Sequence, residues 1–278
     1  MFRAEDYVKV DSLSEAYELC QKRSSLVVGG MVWLKMTSVT KRTIVDLSGL
    51  GLDKIEETKE EFRIGAMCTL RQLETDQGLD QYFGGVFKEC TRHIVGVQMR
   101  NLATVGGSIY SRFGFSDILT CLMALDTYVE LYHGGIVPLE EFAKRPVRRD
   151  DRDILVRVHV KKNGRKAAYQ SFRNTKTDFP VLSVGVSRLD SQWKITVGAR
   201  PARAVVAENS RKLSEILSQN LTKEASEAAI RQFASAVSEK VRFGSNMRAS
   251  SEYRRILSEI LIYRAVRDVL SQSEEEKM

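Results

Sequence analysis

The spacing of apolar positions predicts a mixture of short helices and strands at the start of the chain. Ser12-Leu13-Ser14-Glu15 has the form of a helix capping box, and apolar residues then recur at helical spacing as far as Cys20. A helix is therefore expected from residue 13 to about residue 23. Apolar runs predict strands at 26–28, 43–47 and 62–67, and Thr69-x-x-Gln72 predicts a further helix start. Residues 1 to about 52 are expected to form a small βαβ-like unit.

The middle of the chain has a different pattern, in which a glycine-rich stretch separates two helical segments. We expect a helix over residues 85–93, an irregular segment over 100–115, and a helix that begins at Ser116-Asp117 and continues to Leu125. Apolar runs at 128–132 and 154–160 predict strands. Residues 145–153 are expected to form a charged loop.

The apolar pattern in the last part of the chain predicts strands followed by helices. Strands are expected at 167–172, 181–187 and 193–197, and helices at 222–241 and 251–270. Because strands and helices are grouped and do not alternate regularly, the pattern predicts an α+β protein.

Length and charge exclude few classes of protein. The 278 residues fit one large domain or two modest ones, and 43 Lys and Arg against 36 Asp and Glu give a net charge of +7. The densest basic runs, 144–152 and 161–166, contain no aromatic residues that could stack on bases. We interpret them as solvated loops, with a docking patch for an acidic partner as the alternative, and nucleic-acid binding is not expected.

The cysteines and histidines are too dispersed to suggest a metal centre. Cys20, Cys68, Cys90 and Cys121 include no CxxC pair, and the three histidines are scattered. Reduced, buried thiols are therefore expected. No apolar run is long enough to span a membrane and the N-terminus does not resemble a signal peptide, so we expect a cytoplasmic protein.

Two loops with paired glycines carry the most chemical information. Gly29-Gly30 follows a predicted strand, and Gly106-Gly107 lies in the segment 100–117. Glycine lets backbone N–H groups approach a phosphate, although a Gly-Gly turn is more often a simple turn. Two such loops suggest a long diphosphate cofactor that is held from two sides. Asp117 is either a first-turn helix carboxylate or an acceptor for a ribose or a base edge.

The second loop closely resembles a family signature. RNLATVGGSIYSRFGFSD is similar to RNxATxGGNIxxxxPxSD of the FAD-binding subunit of molybdenum hydroxylases, a family that includes the xanthine dehydrogenase FAD subunit and the carbon monoxide dehydrogenase medium subunit. VVGGMVWLKM resembles the AGGTDLLxxM of that family. Weaker matches extend the resemblance over essentially the whole chain, and they include TIVDLSGLGLDKI, FRIGAMCTLRQLE, DILVRVHV and NMRASSEYRRILSEILIYRAV.

The resemblance implies a particular domain organisation. Residues 1–165 would form an FAD-binding domain of the vanillyl-alcohol-oxidase (PCMH) type, with subdomains at about 1–52 and 53–165. Residues 166–272 would form a C-terminal domain of a three-stranded sheet plus helices, and residues 273–278 a tail.

The resemblance also implies where FAD would bind. The cofactor would lie between the two subdomains, with Asp117 near its adenosine half, Leu155 and Tyr169 near the isoalloxazine, and Gln170 beside Tyr169. Two sets of residues would hold the pyrophosphate: Val28, Gly29, Gly30, Met31, Val32, Trp33 and Leu34 in the first loop, and Ala103, Thr104, Val105, Gly106 and Gly107 in the second.

Several positions depart from the family pattern. Met31-Val32 replaces the usual Thr-Asp, Ser108 replaces Asn, Phe115 replaces Pro, and Gln170 stands where a Lys is frequent. Trp33 could pack on the flavin or cover an edge of the core, and we favour the core. Trp193 is expected to be a sheet residue.

The family resemblance implies an electron-transfer flavoprotein subunit. It would take electrons from an iron–sulfur subunit, within a complex that also has a molybdopterin-binding subunit, and pass them through FAD to an acceptor such as NAD. No catalytic acid, base or nucleophile is assigned, since His93, His133 and Asp126 each lack a second catalytic group nearby in sequence. The alternatives are a flavin-free scaffold that has lost the cofactor and a stand-alone FAD oxidase.

Overall fold

A computed structural model describes residues 1–146, 152–219 and 222–275. The N-terminal unit contains a three-stranded parallel sheet in the order β1-β3-β2 and one helix. Its elements are β1 (Arg3–Lys9), α1 (Leu13–Gln21), β2 (Ser25–Val28) and β3 (Thr40–Asp46). Ser12 caps α1 as predicted, because its side chain accepts a hydrogen bond from the amide of Glu15.

The central unit surrounds a five-stranded antiparallel sheet in the order β4-β5-β8-β6-β7. Its strands are β4 (Ile55–Glu57), β5 (Glu61–Gly65), β6 (Thr127–Leu131), β7 (Gly135–Pro138) and β8 (Leu155–Lys161). Its helices are α2 (Leu70–Thr75), α3 (Gln77–Tyr82), α4 (Val86–Thr91), α5 (Val97–Arg100), α6 (Val105–Tyr110), α7 (Asp117–Ala124) and α8 (Leu139–Lys144). Thr69 and Gln72 form the predicted capping box of α2, and Ser116 caps α7.

The C-terminal unit contains a four-stranded antiparallel sheet in the order β12-β11-β10-β9, with two long helices. Its elements are β9 (Lys166–Phe172), β10 (Leu182–Leu189), β11 (Gln192–Gly198), β12 (Val205–Ser210), α9 (Lys212–Leu217), α10 (Lys223–Glu239) and α11 (Ser251–Glu275). Trp193 lies in β11 and is buried, as expected for a sheet residue.

The sequence pattern predicted the mixed architecture, but parts of it were wrong. The C-terminal sheet has four strands where three were expected, because β12 is a half-exposed edge strand without clear alternation. The segment 100–115, expected to be irregular, contains α6. The helix α11 continues to Glu275, and residues 276–278 of the expected tail lie outside the described residues. So do residues 147–151 of the expected charged loop.

Helix α7 joins the central unit to the C-terminal sheet, and this contact fixes the position of Asp117. Thr196 Oγ1 donates a hydrogen bond to the carbonyl of Thr120 at 2.9 Å. A Cβ atom added at Gly198 would lie 2.0 Å from Thr120 Oγ1, so only glycine allows the helix to pack this closely. The first turn of α7 is thereby held at the junction of the two units.

Candidate functional site

The two glycine loops are in direct contact. A Cβ atom at Gly29 would lie 2.4 Å from Thr104 Oγ1, and one at Gly30 would lie 1.6 Å from the carbonyl oxygen of Leu102. Both distances are far below any van der Waals contact. The first glycine pair is therefore required for the loops to meet, which brings the two sequence motifs into one site.

The first loop presents backbone N–H groups that have no internal partner. Val28 ends β2, Met31 adopts a left-handed conformation with φ of 56°, and Leu34 begins a single 3₁₀ turn. Within the described part of the chain, no acceptor receives a hydrogen bond from the amides of residues 29–34. A run of unpaired amides is a binding surface for an anion such as a phosphate.

In the second loop, by contrast, the amides of residues 105–107 are already bonded. The Val105 amide donates to the Cys68 carbonyl at 2.9 Å, the Gly106 amide to the Ala66 carbonyl at 2.8 Å, and the Gly107 amide to Thr104 Oγ1 at 3.2 Å. These bonds attach α6 to the loop before α2. The Thr104 amide has no acceptor among the described residues, and the expectation that residues of both loops hold the pyrophosphate stays a prediction.

Asp117 and Tyr169 form a buried hydrogen-bonded pair. Tyr169 Oη donates to Asp117 Oδ1 at 2.5 Å, and Arg173 Nη2 donates to the same oxygen at 2.6 Å. Burial raises the pKa of Asp117, although Arg173 and Tyr169 oppose that effect. Burial, reinforced by Asp117, also raises the pKa of Tyr169 well above its usual value. The contact places Asp117 and Tyr169 together, whereas the resemblance implied that they lie near different parts of FAD, and their roles toward the cofactor stay predictions.

Leu155 and Gln170 do not join this pair. Leu155 is the first residue of β8, is 5% exposed and packs in the core of the central unit. Gln170 lies on the opposite face of β9 from Tyr169, and its Nε2 donates to Asp268 of α11 at 2.6 Å. Gln170 and Tyr169 thus point to opposite faces of the strand, and a contact of Gln170 with the cofactor stays a prediction.

Trp33 belongs to an exposed aromatic cluster. Its ring lies 5.7 Å from Phe113, 5.6 Å from Phe115 and 5.8 Å from Phe179, and Phe115 lies 4.4 Å from Phe179. The Trp33 side chain is 44% exposed, so it packs at the protein surface and not in the interior, and its position relative to the flavin stays a prediction. This aromatic cluster (Trp33, Phe113, Phe115 and Phe179) connects the first loop, the second loop and the C-terminal unit.

Arg173 and Phe179 were not among the residues predicted for the site. Both lie in the connection between β9 and β10, more than 50 positions after the second loop. One sequence feature could have indicated such a contact, namely Phe115 at the position where the family pattern has proline. An additional aromatic ring in the loop needs an apolar partner, which Phe179 provides.

The described residues contain neither a candidate metal site nor a candidate membrane-spanning helix. No group of three or more His, Cys, Asp or Glu side chains there could hold a metal ion. Across residues 1–146, 152–219 and 222–275, none of the helices has the length and apolarity required to cross a bilayer.

Comparison with known families identifies two successive domains. The FAD binding domain in molybdopterin dehydrogenase matches residues 1–161, and the CO dehydrogenase flavoprotein C-terminal domain matches residues 167–269. The two matches together cover nearly all of the chain.

Curated relatives match over most of their length at low identity. The uncharacterized protein YgfM of Escherichia coli K12 is 25% identical over 275 residues, with 98% of each chain covered. The glyceraldehyde dehydrogenase medium chain of Sulfolobus acidocaldarius is 23% identical, covering 95% of this chain and 97% of its own. The 6-hydroxypseudooxynicotine dehydrogenase complex subunit alpha of Paenarthrobacter nicotinovorans is 26% identical, covering 73% and 76%.

Solved structures share the whole fold. A chain of carbon monoxide dehydrogenase from Hydrogenophaga pseudoflava superposes with a TM-score of 0.80 at 20% identity, covering 96% of this chain and 97% of that one. A chain of quinoline 2-oxidoreductase from Pseudomonas putida 86 gives 0.81 at 18% identity, covering 98% and 96%.

Proposed function

The chain belongs to the FAD-binding subunits of the molybdopterin dehydrogenases, and from that premise we propose that it is an electron-transfer subunit. In this proposal it receives electrons from an iron–sulfur subunit and passes them through FAD to an acceptor such as NAD. The chemical transformation of the substrate takes place on a separate molybdopterin-binding subunit.

One observation supports FAD binding most directly. The amides of residues 29–34 have no acceptor among the described residues, and the second loop lies against them. A diphosphate carries the oxygen atoms that such amides would bind. The side chains of Met31 and Val32 do not weaken this interaction, since the donors are backbone groups.

The residues of the chain bind and orient the cofactor. FAD, when bound, supplies reversible electron transfer, while the protein controls its position and its electrostatic surroundings. We assign the pyrophosphate to the first loop and the flavin end to the side of Asp117 and Tyr169. The buried pair lies beside the aromatic cluster, whose rings offer an apolar contact for a planar ring system.

The partners and the location belong to the same proposal. Relatives are described as a dehydrogenase medium chain and as a subunit of a dehydrogenase complex, which favours assembly with other subunits. The net charge of +7 would favour docking of an acidic iron–sulfur partner. All four cysteines are free thiols, in keeping with a cytoplasmic location.

The test is an absorption spectrum of the purified chain after incubation with FAD and desalting. We expect flavin absorption bands to stay with the protein. A desalted chain without flavin bands, together with a co-purified complex that releases no flavin on denaturation, would contradict the proposal.

A second candidate function is a scaffold subunit without flavin. It is favoured by the amides of residues 105–107 and the Asp117 carboxylate, which already have internal partners. In that case the chain would assemble with the same partners, and the assembled complex would contain no flavin in this subunit.

A further inference from the structure

Arg173 carries a buried donor that the protein leaves unused. Its side chain is only 7% exposed. Nη2 donates to Asp117 Oδ1 at 2.6 Å and Nη1 donates to the carbonyl of Asp178 at 2.8 Å, but Nε has no hydrogen-bond partner among the described residues. Leaving such a donor unpaired is unfavourable, so a ligand that brings an acceptor would be stabilised there.

The surroundings of Arg173 are positively charged. Burial, followed by the charges of Arg92, Arg173 and Lys176, lowers the pKa of His93, while Asp117 acts in the opposite direction. Three cations, Arg92, Arg173 and Lys176, therefore act on this region together with the buried carboxylate of Asp117, while Arg92 is also paired with Glu89 at 2.9 Å. This surplus of positive charge suits an acceptor atom with high electron density.

Arg173 is also connected to the candidate site. Asp178, whose carbonyl it contacts, precedes Phe179 of the aromatic cluster, and Phe179 reaches both Phe115 and Trp33. On its other side, Arg173 contacts Asp117 at the start of α7. The free Nε thus lies between the second loop and the C-terminal unit.

We propose that Arg173 is a cofactor-binding residue, whose Nε–H donates to a carbonyl oxygen on the pyrimidine edge of the flavin ring. This inference rests on the proposed function. The ring edge is favoured over the pyrophosphate, because the unpaired amides that suit a phosphate lie in the first loop. A cation at this edge stabilises the reduced flavin, which gains negative charge, and so raises its reduction potential.

The test compares Arg173→Met, Arg173→Lys and a matched control. Arg165→Met is the control, because the Arg165 side chain is equally buried, is paired with Asp126 at 3.0 Å and lies outside the candidate site. The readouts are the Kd for FAD and for riboflavin, and the reduction potential of the bound flavin. A fourth variant, Arg173→Met with Asp117→Asn, avoids an unpaired buried charge if the single variant folds poorly.

We expect Arg173→Met to weaken FAD and riboflavin binding by roughly tenfold or more, as for a lost hydrogen bond from a charged donor, and to lower the potential. Arg173→Lys should recover part of the potential, and Arg165→Met should change neither quantity. Unchanged affinity and potential in a folded Arg173→Met protein would overturn the inference. So would weaker FAD binding with unchanged riboflavin binding and potential, because that result places Nε on the pyrophosphate. If the wild-type chain and its complex bind no flavin, the proposed function itself fails.

Discussion

Gly30 is the residue at which the site tolerates the least change. An added Cβ atom would overlap the carbonyl oxygen of Leu102 at 1.6 Å, and backbone cannot move aside as a flexible side chain can. The loop must therefore shift as a whole, and the unpaired amides shift with it.

We predict that Gly30→Ala destabilises the protein by about 1–3 kcal/mol and weakens FAD binding. Gly107→Ala is the matched control in the second loop, where the nearest atom to the new Cβ is Thr104 Oγ1 at 3.1 Å. Chemical denaturation and an FAD titration of both variants provide the check. Equal effects of the two substitutions would argue against the steric explanation.

A second residue-scale prediction concerns the acid stability of the central sheet. Burial raises the pKa of Glu61, but hydrogen bonds from Lys161, Arg63 and His159 outweigh it and lower this pKa to about 2. The folded pKa lies below the ordinary value of 4.5, so the ionised carboxylate stabilises the fold above about pH 4.5. That contribution is lost as the pH falls toward 2.

We expect the urea midpoint of the wild-type protein to fall more steeply than that of Glu61→Gln between pH 5 and about pH 2.5. Denaturation curves at several pH values measure this difference. Parallel pH profiles for the two proteins would show that Glu61 does not account for the acid sensitivity.

Local residue roles could be read from the sequence, whereas long-range ones could not. Ser12, Thr69 and Ser116 were predicted as helix caps, since a cap depends on residues within one turn. The pairing of Asp117 with Arg173 joins positions that are 56 apart, and no local pattern indicates it. Contacts between side chains of the two units could therefore be identified only from the folded structure.

At the scale of elements, α11 is anchored by one buried arginine. Arg254 has no exposed surface and donates to the carbonyls of Val181, Gly244 and Ala249 and to Asn246 Oδ1, at 2.6 to 2.9 Å. The side chain thereby fixes the loop before α11 against β10. That loop carries Arg248, which pairs with Asp178 at 2.8 Å beside the candidate site.

We predict that Arg254→Met lowers the free energy of unfolding by about 3 kcal/mol, because several buried carbonyls lose their donor. Arg255→Met is the control on the same helix, since Arg255 is half-exposed and its pairing with Glu259 contributes about 0.5 kcal/mol at most. Guanidinium denaturation of the two variants measures the difference. A loss below about 1 kcal/mol for Arg254→Met would contradict the anchoring role.

Elements with clear periodicity were predicted well, and the others were missed for physical reasons. The strands at the centre of the C-terminal sheet are buried apolar runs, and β9, β10 and β11 lie where the pattern placed them. The edge strand β12 has a register shift between Ile195 and Thr196 of β11, so its side chains do not alternate simply. The short helix α6 was missed because it contains a glycine pair, which is typical of a loop.

At the scale of the whole molecule, the described residues form three separate hydrophobic cores, one beside each of their three sheets. The sequence pattern indicated the α+β class, and the resemblance of the second loop indicated the FAD-binding family that the domain matches show. Neither indicated that the amides of residues 105–107 are bonded internally while those of residues 29–34 are not. That asymmetry depends on how α6 packs against the loop before α2, which is a property of the folded molecule.

Hydrogen exchange of the backbone amides, with and without FAD, tests the central claim most directly. Residues 29–34 have no internal acceptor among the described residues, so their amides should exchange fast in the free protein and slowly with saturating FAD. The amides of residues 105–107 are already bonded and should change little, which provides a control in the same spectrum. If residues 29–34 exchange at the same rate with and without FAD, the first loop does not bind the cofactor and the account is contradicted.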